Sequence, residues 1–213
     1  ELSEHGGGAI LIWSESELNI QDSEFTNNKG TTGGAINSLS SQLTVENSTF
    51  INNDSTAGSA AYKKGHGGAI YTSGASLDDD INSGRIEISN SLFEGNRAAG
   101  EGGALFLFGH PSDEIIVENS TIVNNYVIEG FEEYSIGGGI RAGNAEFTLT
   151  NSTVANNLAL HQGGGLWVGG DATSTVINST FSNNNAFPAK LDNNDQPIID
   201  SDGNYVLDPQ QDI

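Results

Sequence analysis

Gly67-Gly68-Ala69-Ile70 reads GGAI, and the same four letters stand at Gly33-Gly34-Ala35-Ile36 and Gly7-Gly8-Ala9-Ile10. Gly102-Gly103-Ala104-Leu105 nearly repeats them, and Gly137 and Gly163 open the related GGGI and GGGL. The starts are spaced by 26, 34, 35, 35 and 26 residues. A second motif lies between them: DSEFTNN at Asp22, NSTFINN at Asn47, NSLFEGN at Asn90, NSTIVNN at Asn119, NSTVANN at Asn151 and NSTFSNN at Asn178. The chain therefore holds six copies of a two-motif unit of about 26 residues. The longer spacings carry insertions at Ser55–Lys64, Ser73–Gly84 and Ile128–Ser135.

Within each unit apolar residues alternate, as at Leu18 and Ile20, Leu43 and Val45, Ile86 and Ile88. That period of two predicts short, half-buried strands and no amphipathic helix. Such a unit cannot bury its apolar side alone, but a stack of units can. Equivalent residues then lie about 4.8 Å apart in parallel strands, and every motif position becomes a column. Phe25, Phe50, Phe93, Ile122, Val154 and Phe181 form one interior column. Ile20, Val45, Ile88, Val117, Leu149 and Val176 form a second, and Ile10, Ile36, Ile70, Leu105, Ile140 and Leu166 a third. Glycine recurs because one corner recurs, and glycine accepts the positive φ and close approach a corner needs. Asn27, Asn52, Gly95, Asn124, Asn156 and Asn183 mark a turn, since Asn and Gly both tolerate left-handed backbone. Continued alternation predicts a buried amide ladder at Asp22, Asn47, Asn90, Asn119, Asn151 and Asn178. Four of these Asn begin N-S-T, a glycosylation sequon. Burial in that ladder would make the sequons incidental.

The paired motifs resemble the GGA[I/L/V] and FxxN repeats of the chlamydial polymorphic outer membrane proteins and related bacterial surface proteins. The resemblance covers residues 5–185. FxxN is met at Phe25–Asn28, Phe50–Asn53, Phe93–Asn96 and Phe181–Asn184. It implies a right-handed parallel β-helix, exported as a passenger and used in adhesion. The expected organisation is a β-helix over 1–185 and a non-repeating cap or linker over 186–213.

The 213 residues carry 28 acids against 7 Lys and Arg, a formal charge of -21. Such a charge repels nucleic acid and anionic lipid. No apolar run reaches the roughly 18 residues that span a bilayer, so membrane insertion of this segment is not expected. The chain has no Cys, which excludes disulfides and thiolate metal sites.

The fold class alone leaves three roles: a cell-surface adhesion segment, a polysaccharide-degrading enzyme, and a self-assembling fibre subunit joined through its coil ends. An extracellular adhesion role without catalysis and without a required cofactor is the expectation, with a protein or glycan partner. Insertions that interrupt the period are the expected contact sites. They hold Tyr62, Lys63 and Lys64 in the first, and Phe131, Glu132, Glu133 and Tyr134 in the last. Two sets of oxygen ligands suit Ca²⁺: Asp78, Asp79 and Asp80, and in the tail Asp192, Asp195, Asp200, Asp202 and Asn204. The tail also reads as a hairpin joining Pro197–Ile199 to Tyr205–Leu207. Arg97 and Glu101 are expected to form a solvated ion pair, and His66 and His161 to lie in exposed turns.

Overall fold

The computed structural model describes residues 6–58, 65–76, 84–128, 135–171, 173–187, 189–190, 192–193, 197–201 and 205–206. Each coil contributes one strand to each of three six-stranded parallel sheets. In the first coil these are Ile10–Trp13 (sheet A), Glu17–Gln21 (sheet B) and Glu24–Thr26 (sheet C). In the fourth they are Leu105–Phe108, Glu114–Glu118 and Thr121–Val123. A narrow fourth sheet (D) runs through Arg97–Ala98, Tyr126–Val127, Leu158–Ala159 and Asn185–Ala186. The result is a right-handed parallel β-helix of six coils. The one helical turn among the described residues is the 3-10 turn Thr56–Gly58, inside the first insertion.

Registry is as the motif columns require. Ile10 pairs with Ile36, Ile36 with Ile70, and Ile70 with Leu105, and the Phe column pairs Phe25 with Phe50 and Phe50 with Phe93. Their rings stack 4.7 and 4.8 Å apart, nearly parallel. Phe50, Phe93, Val45, Ile88 and Leu105 are fully buried. The end coil departs from the expectation: Val176 and Phe181 are 46% and 42% exposed, and among the described residues no coil lies over them.

The corner glycines act in two ways. Gly33 has φ +66°, open to glycine at little cost. At Gly34 a Cβ would stand 2.0 Å from the Gly68 carbonyl oxygen of the next coil. Only glycine lets successive corners stack at strand spacing. The Asn/Gly turn also holds, with positive φ at Asn27, Asn52, Gly95, Asn124, Asn156 and Asn183.

The amide ladder forms on a different column. Asp22, Asn47, Asn90, Asn119, Asn151 and Asn178 are exposed, with φ between 48° and 52°. A left-handed residue reverses the alternation after it, so the chain turns there and the following Ser points inward. The buried ladder is Asn28, Asn53, Asn96, Asn125, Asn157 and Asn184. Asn125 shows the pattern. Its Nδ2 donates to the Phe93 carbonyl and to Asn157 Oδ1, both at 3.0 Å. Its Oδ1 accepts from the backbone N and Nδ2 of Asn96, both at 2.9 Å. A parallel Ser ladder runs beside it, each backbone N–H donating to the next Oγ, as from Ser91 to Ser120 at 3.1 Å. The sequon residues Asn47, Asn119, Asn151 and Asn178 therefore stand at the surface, and burial does not exclude their modification.

The described part of the tail turns back along the side of the helix. Ile199 and Tyr205 form an antiparallel bridge, and the Tyr205 hydroxyl donates to the Asn156 carbonyl at 2.9 Å. Tyr205 and Ala189 pack with Tyr126, Leu158 and Leu160. Burial, then the neighbouring Tyr126, pushes the Tyr205 phenol up to about 12.

Asn125→Ala removes four hydrogen bonds and leaves the Asn96 backbone N–H and one Asn96 Nδ2 hydrogen without their acceptor, the other still bonded to the Phe50 carbonyl. It should cost about 3–5 kcal/mol. Asn119→Gly, at an exposed positive-φ site, should stay within about 0.5 kcal/mol of wild type. Urea melts of the two variants read the difference, and equal losses would put the ladder back on the sequon column.

Candidate functional site

Sheet A carries aromatic, aliphatic and polar side chains and one cation, but no acid, on the outward positions of its strands. Registry aligns Leu11, Asn37, Tyr71, Phe106, Arg141 and Trp167 in one outward column. Tyr71 and Phe106 stack at 4.8 Å, and His66 lies against Phe106 at 5.0 Å. His66 is therefore part of an aromatic stack, half-buried, while His161 is exposed as expected. The Arg141 guanidinium sits 4.5 Å from the Phe106 ring centroid, 5.3 Å from Trp167 and 5.5 Å from Phe108. Three rings thus surround one cation, a contact that strengthens as water is excluded.

Glu101 holds the guanidinium in place. Its Oε2 lies 3.0 Å from Arg141 Nε, with both side chains largely buried. The contact is an ion pair and not an aligned hydrogen bond, because no acceptor lies in line with the Nε–H. Burial lifts the Glu101 carboxyl above its ordinary range against the pull of Arg141. Burial likewise lowers Arg141, partly offset by Glu101. Both shifts say that desolvation outweighs the pairing. The expected Arg97–Glu101 pair is not formed. Arg97 instead donates to Asp54 across 2.8 Å, one coil earlier.

Trp167 closes the column. Its Nε1 donates to Gln162 Oε1 at 3.2 Å. The ring reaches over Gly169, where a Cβ would meet indole atoms at 2.0 to 2.8 Å. The absent side chain thus makes the bed on which the indole rests. Asn37, second in the column, is fully buried, and neither of its amide atoms has a partner among the described residues.

The described ends of the insertions lie at the ends of sheet A strands. Ser55–Lys64 and Ile128–Ser135 leave and rejoin the helix between sheets D and A, while Ser73–Gly84 follows a sheet A strand. Buried Asp113 clasps the ends of the last of these. It accepts from the backbone N–H of Ala75, Gly84 and His110 at 2.7 to 2.8 Å. The expected contact residues Tyr62, Lys63, Lys64, Phe131, Glu132, Glu133 and Tyr134 lie outside the described residues. So do the acids Asp78, Asp79, Asp80, Asp195 and Asp202, and Asn204. Asp192 and Asp200 are described and exposed. Among the described residues no three His, Asp or Glu side chains lie close enough together to hold a metal ion. The Arg141 site has no sequence motif, since each coil puts a different residue type in that column. Only the registry, extended outward from Ile140 and Leu166, reveals it.

A family model for the right-handed beta helix region matches residues 1–136. No curated protein and no solved structure matches the chain.

Gly169→Ala should lift the indole from its bed while leaving the sheets intact. Iodide quenching of Trp167 fluorescence in a Trp13→Phe background should then rise, with an unchanged far-ultraviolet spectrum. Asp54 gives a pH test. Burial raises its carboxyl, but the bonds from Thr56 and Arg97 together outweigh it, and it sits below the ordinary 3.8. A depressed folded value contributes stability above the unfolded value and loses it as pH falls through the folded one. Asp54→Asn should therefore melt below wild type at pH 7, and the gap should close as pH falls below about 3.8.

Proposed function

Because the chain belongs to the right-handed β-helix family, we propose that it is a non-catalytic, extracellular binding scaffold whose ligand face is the outward side of sheet A. The ligand class is a neutral glycan. One observation carries the reading: the half-buried Trp167 indole stands beside an arginine that Glu101 and the rings of Phe106 and Phe108 hold in place. An indole stacks on the C–H face of a pyranose, and a guanidinium bonds its hydroxyls. The charge of -21 favours a neutral chain over a polyuronate. The insertions at both ends of sheet A suit contact with a larger surface, and Ca²⁺ on the acids of the Ser73–Gly84 insertion or the tail would stiffen them. The GGA[I/L/V] and FxxN resemblance supports a place on a bacterial surface.

The rival role, a polysaccharide-cleaving enzyme, draws on the raised Glu101 carboxyl, the state a general acid needs. Its pairing with Arg141 works against that role by stabilising the anion.

One screen separates the two. Neutral and uronate glycans are tested for binding by fluorescence and for release of reducing or unsaturated ends. Binding of a neutral glycan without turnover is expected, weakened at least tenfold by Trp167→Ala at unchanged melting temperature. Turnover abolished by Glu101→Gln would replace this reading with the enzymatic one.

A further inference from the structure

Every coil passes from sheet B into sheet C through the same three-residue step, from Asp22-Ser23-Glu24 in the first to Asn178-Ser179-Thr180 in the last. The fold accounts for two of its positions. The first takes a φ between 48° and 52°, which Asn and Asp tolerate. The second is Ser in all six coils, because its hydroxyl carries the Ser ladder. The third needs no hydroxyl: Glu24, Thr49, Leu92 and Thr121 pair in one column. Four coils nevertheless place Thr there, and the same four complete the sequon N-S-T.

The middle Ser turns inward, and the residues on either side of it face out. Asn47, Asn119, Asn151 and Asn178 are exposed, and the Thr two residues after each is half-buried or exposed. Among the described residues the amides of Asn119, Asn151 and Asn178 and the hydroxyls of Thr121, Thr153 and Thr180 enter no hydrogen bond. The Asn47 amide donates one hydrogen to Asp22 and keeps the other. The column stands at the corner of sheets B and C, which sheet A does not border.

A fifth sequon supplies the contrast. Asn53-Asp54-Ser55 also reads N-x-S, but Asn53 is fully buried. Both of its amide hydrogens are used, on the Phe25 carbonyl and on Asn96 Oδ1, each at 2.9 Å. A sugar there would have to stand inside the Asn ladder. The five sites are alike in sequence, and the fold separates four of them from the fifth.

We infer that Asn47, Asn119, Asn151 and Asn178 are sites of N-linked glycosylation and that Asn53 is not. The co-reactant is an oligosaccharide carried on a lipid diphosphate, transferred by an oligosaccharyltransferase during export. A bond forms from Asn Nδ2 to the anomeric carbon, and the bond from that carbon to the diphosphate oxygen breaks. The diphosphate leaves with the electron pair, and one amide proton passes to base. The Thr hydroxyl two residues on completes the acceptor that the transferase reads. Before the coils close all five sequons are open, and the Asn ladder then rejects a chain modified at Asn53. Successive coils set Asn119, Asn151 and Asn178 about 4.8 Å apart, so branched glycans fit on alternate coils. The inference rests on the extracellular part of the proposed function and is independent of the sheet A site.

Peptide mapping by mass spectrometry tests this on the protein taken from the cells that make it, with exported and cytoplasmic fractions kept apart. Exported protein should carry glycan within the set Asn47, Asn119, Asn151 and Asn178, and none at Asn53. Thr49→Val, Thr121→Val, Thr153→Val and Thr180→Val together keep every turn Asn and should leave the protein bare, with an unchanged circular dichroism spectrum. Adding Leu92→Thr to that variant builds a sequon at Asn90 and should return a single glycan there. Exported wild-type protein bare at all four sites would overturn the inference and leave the extracellular reading standing. Protein found only in the cytoplasm would overturn both. Glycan at Asn53 of the folded protein, or glycan that persists in the fourfold variant, would also overturn the inference.

Discussion

The structure depends on one constraint: each coil must hand its backbone and turn hydrogen bonds to the next in exact vertical registry. The Asn ladder enforces it. An Asn53 amide that donates to Phe25 below and to Asn96 above is satisfied only when three coils agree. A slip of one residue would bury a chain of unpaired amides, each costing about 1–3 kcal/mol. Strand pairing alone is less selective, since the backbone ladder repeats at every second residue. The Phe stack adds burial to the same geometry, and the corner glycines permit the spacing that both require.

The interior was legible because identical letters there do the same job in every coil. Ile, Phe and Gly columns follow from period and spacing alone. The misassigned ladder shows where that logic fails. Counting by twos from Val45 puts Asn47 inside, but its φ of 48° breaks the alternation and turns the side chain outward. The buried amide is Asn53, the second Asn of a turn whose first Asn is left-handed. Residue type could not separate them, because Asn serves both a positive φ and a buried bond.

The outward site was illegible for the opposite reason. Tyr71, Phe106, Arg141 and Trp167 share a column but no letter. Their meeting follows only from the registry of Ile70, Leu105, Ile140 and Leu166 one position earlier. The partners of Arg97 and Glu101 follow the same rule. Lateral neighbours one coil away, at Asp54 and Arg141, take precedence over neighbours in sequence.

Vertical registry also governs how an acidic chain can stack at all. A repeated acid in one outward column would set carboxylates about 4.8 Å apart, each contact costing roughly 1 kcal/mol even in water. The outward columns avoid this. Glu46 lies between Gln21 and Ser89, and the Gln21 amide donates to it at 3.3 Å. Glu87 lies between Thr44 and Ile116, Glu118 between Ser89 and Thr150, and Glu94 between Ile51 and Val123. Glu114 does stack on Glu146, and on its other side it has Arg85. The irregular exterior is thus as much a product of the stack as the regular interior. Repetition stabilises where the groups are apolar or self-complementary amides, and alternation is required where they are charged.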